Sequence, residues 1–324
     1  MKVFQGLQSI SPPLMRSVLT IGNFDGVHRA HQQILAQAGL FAANTGGPVV
    51  VLTFEPHPLN VVSPAKAPQR LCLPEEKLRL LEASGSDVVV VAKSDPSLLG
   101  LEAEAFIREV IFDRFHPTHI VEGPTFGFGR GRKGTPELLS RFAAELGSEV
   151  HILQPITLQV DGEKMLISSS LIRKLLSRGK VRKASLCLGR PYAIIGEVVR
   201  GDRRGITIGF PTANVFVKDQ LLPHDGVYAG RAIVGDQTHV CAISIGNAPT
   251  FAGIQRRLEA HLLDFDGDLY GQTIRVEFTR FLRPQKKFPS ADALIEQLQG
   301  DVGKVRDGSP GLPTDTLFDK ADGS

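Results

Sequence analysis

The chain reads as an α/β domain on a parallel sheet, followed by an antiparallel β-barrel and a terminal helix. Three observations predict this. Up to about residue 180, short apolar runs alternate with segments of helical period. After Arg190-Pro191, strand-like segments follow one another without helices between them. The 324 residues, 42% hydrophobic and 22% charged, suffice for two ordinary cores. The predicted boundaries are 1–184 for the α/β domain and 185–307 for the barrel, with 308–324 as a tail whose Gly, Pro, Ser and Asp content favours disorder.

In the first domain, Val18 to Ile21, Val49 to Phe54, Val88 to Val91, His119 to Val121 and Val150 to Leu153 are short and apolar, as strands covered on both faces must be. A helix is expected from about Val27 onward. Leu101 to Phe115 keeps the helical period through Phe106, Val110 and Ile111, and Pro136 to Leu146 keeps it through Leu138, Leu139, Phe142 and Leu146. The second domain offers strands at Tyr192 to Val199, Val227 to Val234, His239 to Ile245, Leu258 to Phe265 and Ile274 to Leu282. Ser290 then reads as the N-cap of a terminal helix that turns Leu294, Ile295 and Leu298 toward the barrel.

Composition narrows the function. A net charge of +3 suits small anionic ligands and is too weak and dispersed for a nucleic-acid partner. The densest basic cluster, Arg130-Gly-Arg132-Lys133, reads equally as a solvated loop or a phosphate contact. Cys72, Cys187 and Cys241 lie far apart with no C-x-x-C pairing, so neither a zinc site nor a disulfide framework is indicated, and reduced thiols fit the cytoplasm. No apolar run approaches the roughly 20 residues that cross a bilayer, so no membrane partner is expected.

The first candidate site is the stretch Thr20 to His31. An apolar strand runs into Gly22-Asn-Phe24-Asp25-Gly26, and a helix start carries His28 and His31 on one side. Free first-turn amides, the helix dipole and two imidazoles favour a phosphate there; two surface histidines at a loop end are the plainer alternative. Thr53-Phe-Glu-Pro-His57-Pro58 ends the next strand and so opens at the same sheet edge. Ser168, Ser169 and Ser170 start a helix whose amides and hydroxyls suit a triphosphate, with Arg173 to neutralise phosphate charge.

In the second domain, Gly201, Gly205 and Gly209 punctuate a loop that leads into Phe210-Pro211-Thr212-Ala-Asn214. The loop lacks the Gly-Lys-Ser/Thr order of a Walker loop. Thr212 and Asn214 are hard oxygen ligands two residues apart, suited to Mg2+, although Pro-Thr-Ala-Asn alone also reads as a turn. In Leu258-Glu-Ala-His-Leu262, strand alternation sets Leu258, Ala260 and Leu262 on one side and Glu259 with His261 on the other.

These segments, with Gly123-Pro-Thr125-Phe126-Gly-Phe128-Gly129, resemble the HxGH-type nucleotidyltransferases and, along residues 16 to 306, the bacterial bifunctional riboflavin kinase and FAD synthetase family. The resemblance implies a Rossmann-like first domain that adenylylates FMN with ATP to give FAD. His28, His31 and Arg173 would be catalytic there, while Gly22, Phe24, Asp25, Gly26, His57, Thr125, Phe126, Phe128, Gly129 and Ser168 to Ser170 would bind substrate. It likewise implies a barrel that phosphorylates riboflavin to FMN. Gly201, Gly205, Gly209 and Pro211 would hold the nucleotide, Thr212 and Asn214 the Mg2+, and Glu259 would act as base, with His261 structural. The chain departs from the family pattern at Ala30 (glycine in the family), Thr125 (Asp or Asn), Ser170 (threonine) and Ile206 (often basic). Two other readings stand beside this one: a riboflavin kinase with an impaired adenylyltransferase, and a non-catalytic flavin-binding regulator.

Overall fold

The structure, a computed structural model, describes residues 1–201, 205, 208–250 and 253–307. The expected tail 308–324 and Ile206 lie outside the described residues. The chain forms two compact units, Met1–Arg173 with Cys187–Gly189, and Lys174–Leu186 with the chain from Arg190 onward.

The first unit is built on six parallel strands, β1 (Lys2–Gln5), β2 (Ser17–Ile21), β3 (Val49–Glu55), β4 (Val88–Lys93), β5 (Pro117–Glu122) and β6 (Glu149–Ile152). Their order across the sheet is β1-β4-β3-β2-β5-β6. All of β2 and the first five residues of β3 are buried, because helices cover both faces and each face must be apolar. On one face Val18, Val51 and Val89 meet Leu35, Ala38 and Ala42 of helix α1 (Arg29–Thr45). On the other, Leu19, Leu52 and Ile120 meet Phe106, Ile107 and Ile111 from the segment Ala103–Phe115, whose middle turns at Phe106–Phe112 are wound to π geometry.

Two elements are additions to the sequence reading. β1 is a four-residue edge strand with Val3 exposed, too short and too mixed to show a period. β7 (Thr157–Val160) and β8 (Glu163–Leu166) form a hairpin across Asp161-Gly162, both with positive φ. That is the turn an Asp-Gly pair favours.

The helices Ser169–Leu176 and Val181–Leu188 lead to a closed six-stranded barrel. Its strands are β9 (Tyr192–Val199), β10 (Ala213–Phe216), β11 (Gly226–Val234), β12 (Gln237–Thr250), β13 (Gly253–Leu262) and β14 (Thr273–Arg283). They pair antiparallel in the order β10-β13-β12-β11-β14-β9, so no backbone edge is left unpaired. Ile194, Ile243, Leu258, Ala260 and Val276 are fully buried, as are Tyr228 and Phe278, whose rings meet edge to face at 5.3 Å.

Ser290 caps the terminal helix Ala291–Asp307, its Oγ accepting the Ala293 amide at 3.2 Å. Val305 packs against Ala229 and Leu263. The carboxylate of Asp301, 1% exposed, accepts from Arg283 at 2.7, 2.9 and 3.2 Å and from the Gln297 amide. Replacing Asp301 by asparagine keeps the shape and removes the charge from these bonds, and is expected to destabilise the barrel by about 2 kcal/mol. Tyrosine fluorescence during urea unfolding checks this, since Tyr192, Tyr228 and Tyr270 all lie in the second unit and the chain has no tryptophan.

Candidate active sites

At the carboxyl end of β2 the chain turns sharply. Phe24, Gly26 and Val27 take left-handed φ values of 48°, 80° and 37°. For Val27 this is strained, and burial of Phe24 and Val27 is what holds it. Gly26 is required both by its φ and by space, for a Cβ there would stand 3.0 Å from Leu71. Gly22, expected to share that task, has no positive φ and donates to the Leu52 carbonyl at 3.0 Å in continuation of the sheet.

The helix begins at Arg29 rather than Val27, because His28 serves as its N-cap: the Nδ1 atom accepts the His31 amide at 3.4 Å. The two imidazoles stack with centroids 3.6 Å apart, and the Phe24 ring lies 4.9 Å from His31. His28 is buried and His31 half-buried, so one imidazole backs the other. Ala30 is half-buried on the first turn between them.

Asp25 ties three segments together. Its carboxylate accepts the Leu71 amide at 3.0 and 3.2 Å and pairs with Arg173, and its carbonyl accepts the Ser169 hydroxyl at 2.9 Å. Arg173 also donates through Nε to the Gln69 carbonyl at 2.8 Å. Ser168 caps the helix by accepting the Leu171 amide at 3.2 Å, while Ser170 is exposed.

His57 joins the same edge. Its Nδ1 accepts the Leu59 amide at 3.1 Å, and its Nε2 lies 3.2 Å from the Asn23 amide nitrogen. Burial first, and then the Arg173 charge, hold its pKa below the ordinary imidazole value, which favours the neutral ring.

The structure adds four residues to this site that sequence reasoning left out: Asn23, Glu55, Arg70 and Lys77. They line one cleft with Asp25 and His57. Arg70 holds Glu55 in a bidentate pair at 2.6 and 2.8 Å. Lys77, 7% exposed, donates to the Thr53 hydroxyl at 3.2 Å and stands 3.9 Å from Glu55. Burial lowers the pKa of its ammonium. Thus Arg70, Lys77 and Arg173 face Asp25 and Glu55, three cations against two carboxylates, in a cleft suited to an anion. The Pro-Glu-Glu-Lys-Leu-Arg pattern that carries Lys77 gives no warning, because charged residues on an amphipathic helix normally face water.

The Gly123–Gly129 loop leaves the end of β5 with Thr125 exposed and Phe126 half-buried; Phe128 is buried against Phe106 in the core. Arg132 donates to the Thr125 carbonyl at 2.9 Å and Arg130 pairs with Glu102, so two members of the basic cluster brace their own loop.

In the barrel, Asn214 and Glu259 are direct cross-strand partners between β10 and β13. Ala213, Val215, Leu258, Ala260 and Leu262 are buried, which puts Asn214, Glu259 and His261 on the outer wall. The Pro-Thr-Ala-Asn segment is therefore no turn: from Ala213 it is a strand. The His261 Nδ1 lies 2.7 Å from the Pro211 carbonyl and fixes the approach to β10. Thr212 and Pro211 line a pocket of about 210 Å³ that also includes Phe265 and Tyr270. A Cβ at Gly201 would overlap the Asn214 side-chain amide, so any larger residue there would displace that amide. Gly205 accepts the Phe210 amide at 2.8 Å through its carbonyl, and Gly209 has a φ of 82°.

Comparison with known proteins agrees with this division. A family model described as FAD synthetase matches residues 11–171, and one described as riboflavin kinase matches residues 188–308. The bifunctional riboflavin kinase/FMN adenylyltransferase of Escherichia coli strain K12 is 39% identical over 95% of this chain and 97% of its own. That of Haemophilus influenzae is 36% identical over 93% and 97%. A Streptococcus pneumoniae crystal structure titled a macrolide-efflux protein superposes with a TM-score of 0.85 at 31% identity, over 95% of this chain and all of that one. Among the described residues here, no helix is long and apolar enough to cross a membrane. Two domain matches in sequence and relatives aligned nearly end to end show that the chain belongs to the bifunctional riboflavin kinase/FMN adenylyltransferase family.

Proposed function

We propose that the protein phosphorylates riboflavin with ATP to give FMN and then adenylylates FMN with a second ATP to give FAD. Residues 1–184 carry the transfer and 185–307 the phosphorylation. The observation that carries the kinase assignment is the register of β10 on β13, which sets Asn214 beside Glu259 on the outer wall. Glu259 takes the proton of the ribityl hydroxyl as it attacks the γ-phosphate and ADP leaves, and Thr212 and Asn214 would hold Mg2+ with the nucleotide. A hydroxyl and an amide oxygen are hard neutral donors that fit a cation which keeps waters and phosphates among its ligands. Bound there, Mg2+ would neutralise phosphate charge.

In the transferase the nucleophile is an FMN phosphate oxygen, already ionised, so the protein supplies position and positive charge rather than a base. His28, His31 and Arg173 serve the ATP phosphates. Asp25 and Glu55 are both engaged by arginines, so a cation in this cleft would arrive with the nucleotide. Lys77→Met, which keeps the apolar stem and removes the ammonium, is expected to lower kcat/KM for adenylylation about tenfold with kinase turnover unchanged. Steady-state rates from FMN and from riboflavin check this.

The buried thiols of Cys72, Cys187 and Cys241 fit a reducing compartment, and we assign the protein to the cytoplasm. Chromatographic product analysis with ATP and Mg2+ tests the function. FAD from both riboflavin and FMN is the expected result. FMN as the sole product would leave only the kinase, and failure to form either FMN or FAD would overturn the proposal.

A further inference from the structure

A second cluster of titratable side chains lies away from both sites. His119 on β5 and Glu149 on β6 are register partners in the parallel pair, and His151, two residues beyond Glu149, shares their face of the sheet. One ligand atom from each of the three lies within 4.8 Å of the others. Phe41 of α1 stacks on both imidazoles, with centroids 4.8 Å from His119 and 4.0 Å from His151, and the two imidazoles are 5.3 Å apart with planes 12° from parallel. Rings on opposite faces of Phe41 would stand much farther apart, so the histidines lie side by side on one face, edges toward each other.

We infer that His119, His151 and Glu149 form a binding site for a divalent transition metal of the zinc class. An ion about 2.1 Å from one nitrogen of each ring, at a tetrahedral angle, sets the ring centroids about 5 Å apart, close to the 5.3 Å between these two rings. Two imidazoles and one carboxylate match zinc-class ions and not Mg2+, which prefers oxygen ligands alone. Thr118 hydroxyl, 3.1 Å from His119 Nδ1, orients that ring and leaves Nε2 for the metal. The His151 Nε2 is buried without a hydrogen-bond partner and lies 3.6 Å from the Glu149 carboxylate. A water or an ion would satisfy such a nitrogen. The Glu149 side chain is 73% exposed. The bound ion would join edge strand β6 to β5 and leave its remaining position to water.

The full-length protein, freed of metal by chelator and exchanged into chelator-free buffer, is titrated with Co2+ and followed by its visible d–d bands, then with Zn2+ in competition. One equivalent of tetrahedral Co2+, displaced by Zn2+, is expected. His151→Ala and Glu149→Gln should each weaken binding at least about tenfold. Glu149→Gln alters an exposed side chain, so it keeps the test valid if the histidine variant folds poorly. Absence of the tetrahedral spectrum in the parent protein, or an affinity equal to the parent's in folded Glu149→Gln and His151→Ala variants, would overturn the assignment.

Discussion

Glu259→Gln is expected to lower riboflavin phosphorylation by about 10²- to 10⁴-fold, the usual range for removing a general base, while FAD formation from supplied FMN stays within about twofold of the parent. Glutamine keeps the size and polarity of the side chain and cannot take the proton. The neighbours on either side, Leu258 and Ala260, are buried in the barrel, and the exchange on the outer wall leaves that packing alone. Parallel assays from riboflavin and from FMN on one preparation check the result. Loss of both activities in a folded variant would mean that the two reactions are not separable by domain, and an unchanged kinase rate would remove Glu259 from the chemistry.

The adenylyl transfer has its own sensitive position. His28→Asn is expected to reduce FAD formation from FMN by about 10²- to 10³-fold with kinase turnover retained. Asparagine is chosen because His28 caps α1, and alanine would add about 1 kcal/mol of lost capping to the chemical effect. Asparagine is a good N-cap and leaves the helix start intact, so the fall in rate reports the missing imidazole. The stacked His31 loses its backing as well, and part of the loss is the freedom that ring gains. A thermal melt superposable on that of the parent, together with the rate loss, is the expected pair of observations. An unchanged rate would show that the imidazole only caps.

Much of this was legible in the sequence because the signals were local. Apolar runs in β2 to β6 and the Ser290 cap are written in consecutive residues, and so is the alternation of β13. The unread parts depend on distance in the chain. Asn214 sits in a strand because β9 and β13 flank it, which Pro-Thr-Ala-Asn does not encode. Lys77 belongs to the cleft because β3 presents Thr53 and Glu55 to it, 24 and 22 residues earlier. Asp25 finds Arg173 across the full width of the first unit's sequence, and no period or spacing announces such a pair.

The alternation of β13 has a genetic consequence. Leu258, Ala260 and Leu262 answer to packing while Glu259 and His261 face the outer wall, so point changes can drift on one set without disturbing the other. A one-residue insertion or deletion grants no such independence. It would send Glu259 and His261 into the barrel and bring leucines to the wall, losing stability and phosphoryl transfer in a single step. Length variation among functional descendants of this chain should therefore collect in the connections and spare this strand.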